Sequence, residues 1–114
     1  MKVKEIADLL NATPLCGEEL YDMDMTNAFS SDMMSDVLAF VQNQCVLITG
    51  LMNVQVVRTA EMMDMKCVVF VRGKQPDDNV IEMAKDLGLC VLSTKYTMFE
   101  ASGILYKSGL GVRE

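Results

Sequence analysis

The sequence predicts an α/β domain of three layers, with a mainly parallel β-sheet flanked by helices. Three observations carry this. Strand-length apolar runs recur at residues 45–49, 66–71 and 89–93. Stretches with apolar residues at helical spacing lie between and after them. The runs start roughly every 22 residues, the rhythm of βα units and not of a solenoid. Strands that are apolar on both sides need cover on both faces, and right-handed crossovers through helices supply it.

Each element follows in order. Residues 3–11 read as an amphipathic helix with Val3, Ile6, Ala7 and Leu10 inward, and Pro14 then breaks the chain. Residues 15–16 and 25–29 are short strand candidates around an acidic turn at 21–24. Ser31 or Asp32 is placed to cap a helix running to residue 41, with Met34, Val37, Leu38 and Val41 at helical spacing. After the strand at 45–49, a helix over 54–64 has apolar positions at Val54, Val57, Ala60, Met62 and Met63. The strand at 66–71 leads to a helix over 76–87, opened by Pro76 and stopped by Gly88, with Val80, Ile81 and Ala84 on one face. Residues 89–93 are the third strand of the series and 97–107 the last helix. No linker divides the chain, so residues 1–114 are expected to form a single domain.

Composition narrows the function. A net charge of −6 argues against non-specific nucleic-acid binding, which depends on Lys and Arg neutralising phosphates. The apolar runs are far shorter than the ~20 residues of a spanning helix. Glu5 and Asp8 interrupt the first apolar stretch, which excludes a signal-peptide core there; a cytoplasmic protein without membrane contact is expected. Cys16, Cys45, Cys67 and Cys90 are far apart, and the chain has no His, so neither a zinc site nor a disulfide scaffold is indicated. Cys67 and Cys90, each beside valine in a strand, read as reduced, buried hydrophobes. The eleven methionines read first as core filler, with a dimer interface as the alternative.

In an open parallel sheet, ligands gather beyond the carboxyl ends of the strands. Those ends bring Thr49, Asn53, Arg72, Lys74, Thr94 and Lys95 to one edge, together with three helix starts. Cations, hydroxyls and helix N-termini suit a phosphate-like anion. The plain alternative is that loops are polar because they are wet. No phosphate-loop or dinucleotide glycine fingerprint occurs. Asp32, Ser35 and Asp36 form a second polar cluster. If helical, Asp32 and Asp36 would share a face and could serve a metal or acid–base chemistry; the alternative is that Asp32 caps the helix and Asp36 is a solvated first-turn acid. With no His and no assembled nucleophile, the sequence points to no catalytic residue, no metal and no cofactor.

The order and spacing of several strings resemble the DRTGG-domain family over most of the chain. They are Leu15-Cys16-Gly17-Glu18-Glu19, then Asp22, then Ser31-Asp32-Met33-Met34-Ser35-Asp36-Val37. Next come Ile48-Thr49, Asn53, Pro76-Asp77-Asp78 and Thr94-Lys95-Tyr96-Thr97-Met98-Phe99-Glu100. The family's Asp-Arg and Thr-Gly-Gly elements are not intact: Met23 follows Asp22, and the strand exit reads Arg72-Gly73-Lys74. The resemblance implies a fold similar to the N-terminal domain of HPr kinase. It also implies a regulatory domain that lies apart from a catalytic centre and contributes to dimerisation or sensing. The expected function is therefore a homodimeric, non-catalytic module that binds a small anionic ligand, such as a nucleotide or phosphometabolite, or a partner protein. A pure protein–protein interaction module is the alternative, and a small enzyme using Asp32 and Asp36 the third reading.

Overall fold

The computed structural model describes residues 1–41 and 44–112. The chain begins with α1 (Val3–Leu9), β1 (Thr13–Cys16), a 3-10 turn (Glu18–Leu20), β2 (Asn27–Ser30) and α2 (Met34–Phe40). It continues through β3 (Cys45–Thr49), α3 (Val54–Met62), β4 (Cys67–Phe70), α4 (Asp78–Asp86), β5 (Cys90–Ser93) and α5 (Met98–Lys107). The five strands form one sheet in the order β1-β5-β4-β3-β2. β2, β3, β4 and β5 are mutually parallel, and only β1 runs antiparallel, against β5.

The three inner strands are buried at every residue, as their apolar runs require. Alternation sends their side chains to two cores. Val46, Ile48, Cys67, Val69, Cys90 and Leu92 face α1 and α5, while Cys45, Leu47, Val68, Phe70 and Val91 face α2, α3 and α4. The three-layer expectation is met, and α1 turns in the expected residues, Val3, Ile6, Ala7 and Leu10. Gly88 stops α4 at φ 72°, a left-handed geometry that costs other residues strain. Among the described residues no helix is long and apolar enough to cross a membrane.

Several local expectations need correction. Pro14 does not break the chain; it lies inside β1, an edge strand, where a missing N–H is tolerated. The pairing register shifts between Pro14 and Cys16 beside it. Neither Ser31 nor Asp32 caps α2. The cap position is Met33, which has no side-chain hydrogen bond, and Ser31 Oγ accepts the Met33 N–H at 3.0 Å. Asp32 precedes the helix, so it does not share a helical face with Asp36. Leu38 is exposed rather than inward. α3 stops before Asp64, whose φ of 56° turns the chain into β4. Met62 is 69% exposed, because it lies about 140° round the helix from the buried Val57. α4 begins at Asp78, with Pro76 buried just before it.

Candidate functional site

The parallel pairing brings the exits of β2, β3, β4 and β5 to one edge of the sheet. The β4 exit is the most constrained. Arg72 and Gly73 both have φ 67°, and for arginine this left-handed geometry is strained. Backbone bonds to the β5 exit hold it: the Arg72 N–H donates to Tyr96 O and the Gly73 N–H to Thr94 O, both at 2.8 Å. These amides are therefore committed to the loop, leaving the side chains to meet solvent.

The strained turn swings the Arg72 side chain across the β3 exit. A methyl group built on Gly50 would collide with the guanidinium, lying 3.1 Å from Cζ and 3.3 Å from Nε. Glycine is what lets the cation rest there. Lys95 runs its stem along Gly73, with Cγ 3.7 Å from where a Cβ would sit. The Lys74 carbonyl accepts from Ser93 Oγ at 3.3 Å, which ties the β4 and β5 exits a second time. Lys2, Lys4, Lys66 and Lys85 each lie beside a carboxylate. Among the described residues, none sits within ion-pair distance of Arg72, Lys74 or Lys95, all three of which are exposed.

The other three candidates at this edge build the loops. Thr49 is fully buried; its hydroxyl donates to Asp32 Oδ1 at 3.1 Å and accepts the Leu51 N–H at 3.1 Å. Asn53 Oδ1 accepts the Val56 N–H at 3.3 Å and so caps α3. Thr94, also buried, donates to Leu10 O at 2.7 Å and accepts the Tyr96 N–H at 3.3 Å, fastening the end of α1 to the β5 exit.

Asp32 has a role the sequence reading missed. Its Oδ1 accepts the Gly50 N–H at 2.7 Å as well as the Thr49 hydroxyl, so it ties the β2 exit to the glycine under Arg72. Ser35 and Asp36 belong to the first turn of α2. Among the described residues no group of three His, Cys, Asp or Glu side chains is arranged to hold a metal. A glycine directly after a buried strand, with arginine at the next strand's exit, was the available signal for the Gly50–Arg72 approach.

Away from this edge, all four cysteines are buried thiols. Cys67 and Cys90 are register partners on β4 and β5. Donation of its hydrogen to Cys90 Sγ and burial push the Cys67 thiol well above the ordinary range. A groove of about 420 Å³ lies between β2 and α5, lined by Ala28, Ser30, Ile48, Phe99, Ser102 and Tyr106 among others.

The DRTGG-domain profile matches residues 5–108 of the chain. No curated protein matches it. Among solved structures, the chain is similar to the CBS and DRTGG domains of the regulatory region of Clostridium perfringens pyrophosphatase, crystallised with the activator diadenosine tetraphosphate. The TM-score is 0.77 at 18% sequence identity, and the likeness covers 99% of this chain and 51% of that one. This chain thus spans about half the length of that structure's chain. The likeness establishes the fold.

Proposed function

The chain belongs to the DRTGG-domain family, and from that premise we propose that residues 1–114 form one homodimeric regulatory domain that senses a small phosphorylated ligand without chemistry of its own. The observation that carries the reading is the cationic edge. Arg72, held in a strained turn over Gly50, shares this edge with Lys74 and Lys95, and among the described residues none of the three has a carboxylate within ion-pair distance, in a protein of net charge −6. Strain kept at an exposed, charged residue is a reason to look for function there. Charge-assisted bonds from guanidinium and ammonium groups would hold the phosphate oxygens, and Thr49, Asn53, Thr94 and Asp32 would hold the loops in place. The regulatory pyrophosphatase region binds a dinucleotide polyphosphate, which puts adenine nucleotides and dinucleotides first among the compounds to try. A cytoplasmic location suits such a ligand.

A thermal-shift screen with adenine mononucleotides, diadenosine tetraphosphate and inorganic phosphate tests this. A compound at a hundred times its Kd stabilises the fold by ~2.7 kcal/mol. Arg72→Ala combined with Lys95→Ala is expected to abolish the shift while leaving the ligand-free melting temperature nearly unchanged, because exposed charges contribute little to folding. Added salt should weaken binding at so exposed a site. A double variant that binds as well as the parent overturns the assignment. A flat screen favours a pure protein-interaction module, the second reading, which the apolar groove between β2 and α5 supports.

A further inference from the structure

The groove between β2 and α5 lies on the face of the sheet that α1 and α5 cover. Ala28, Ile48 and Leu105 line it with apolar surface. At the amino end of β2 it is closed by Leu110 and Gly111; a Cβ on Gly111 would lie 2.8 Å from Asn27 Oδ1. At the other end stand Ser30, the last residue of β2, and Phe99, in the first turn of α5. Phe99 is 87% and Tyr106 61% exposed, and both flank the groove, two turns apart on one face of the helix.

Two observations tie this open end to Arg72. Asp32, two residues beyond Ser30, accepts the Gly50 N–H at 2.7 Å. Ile48, in the groove, precedes Gly50 by two residues, so strand alternation aims the Cβ position of Gly50 to the same face. The Arg72 guanidinium lies at that position. The mouth of the groove and the cation therefore share one face and one set of loops. Gly103 is an independent sign. It lies in mid-helix on the groove, has no positive φ, and a Cβ there would meet nothing within 4 Å. Glycine is the weakest helix former after proline, so the helix gains nothing from it, whereas a larger side chain would stand in the groove.

We propose that this groove takes the base of a nucleotide whose phosphates rest on Arg72, Lys74 and Lys95. The inference rests on the anion reading above and narrows its ligand from phosphorylated compounds in general to nucleotides. A volume of about 420 Å³ falls in the range of small-ligand sites. Apolar walls suit a heteroaromatic ring, and exposed aromatic side chains stack on bases. A sugar phosphate fits poorly, because its hydroxyls would lose water against Ala28, Ile48 and Leu105 without gaining partners. The two serines supply the polar contacts a base needs. Ser30 and Ser102 share a hydrogen bond at 2.6 Å, which leaves one hydroxyl hydrogen of the pair, and lone pairs on both, for ring nitrogens and exocyclic groups.

Isothermal titration calorimetry of the full chain with ATP and with inorganic tripolyphosphate tests the proposal. Tripolyphosphate carries the phosphates of ATP without the nucleoside. ATP should bind about 10-fold tighter or more, the worth of one stacked base. Gly103→Leu, which fills the groove, and Phe99→Ala, which removes the stacking ring, should each bring ATP down to the tripolyphosphate affinity. Both should leave tripolyphosphate binding and the far-ultraviolet circular dichroism unchanged, because both positions are exposed. Equal affinity of the parent for ATP and tripolyphosphate overturns the groove and leaves the anion edge standing. Variants that hold ATP as tightly as the parent also overturn the groove. Binding of neither compound overturns the anion reading and this proposal with it.

Discussion

The two edges of the sheet are finished in different ways. At β1 the chain closes its own edge. Pro14 removes a donor, the register slips beside it, and the strand runs antiparallel to its neighbour. Gly17 then presses the backbone onto β5: a Cβ there would collide with the Leu89 carbonyl and lie 2.5 Å from Cys90 Cα. Cys16 adds a thiol hydrogen bond to Leu89 O at 3.5 Å. β2 is finished by other means: it pairs regularly with β3, Asn27 Oδ1 accepts the Ala28 N–H at 2.9 Å, and Gly111 packs so closely on Asn27 that a Cβ there would lie 2.8 Å from Oδ1. The contrast separates an edge closed by backbone packed on backbone from one closed by a side chain and the segment after α5.

Substitutions at the two edges should therefore differ in sign as well as size. Gly17→Ala is expected to have the largest effect. The φ of 81° and the backbone collisions both oppose a side chain, so it should lose ~2–4 kcal/mol in urea unfolding. A loss below ~1 kcal/mol would mean that β1 is not held as described. Thr94→Val, at the latch between α1 and the strand next to β1, should cost ~1–3 kcal/mol by leaving a buried carbonyl without its donor. The same experiment reads it, and an unchanged midpoint would remove the latch from the account. The smallest effect belongs to the β2 side. Gly103→Ala should gain ~0.8–1 kcal/mol in dilute thermal melts, since only helix propensity changes there. A loss of stability would show that the glycine serves the fold after all and would weaken the contrast.

Much of the fold could be read from local pattern. The three inner strands, the inward face of α1 and the stop at Gly88 depend on apolar period and on residue chemistry within a few positions. Met62 and Leu38 were misplaced because an apolar residue can fall outside the buried arc of a helix, and the arc is set by what packs against it. The candidate site divides in the same way. The topology of βα units brings Arg72, Lys74 and Lys95 to one edge, so their loops could be named in advance. That Thr49, Asn53 and Thr94 turn inward to build those loops could not.

The sequence by itself determined the alternation of strands and helices, the parallel core and the edge at which the cations gather. All of these follow from periodicity and from the need to bury apolar faces. Only the tertiary structure decided that Pro14 lies in a strand, that Asp32 ties the β2 exit to Gly50, and that Arg72 lies over that glycine 22 positions before it. It alone decided how each edge is closed. Each of these depends on a contact between residues distant in sequence, made only once the sheet sets its strand order and register, and neither propensity nor period encodes that order.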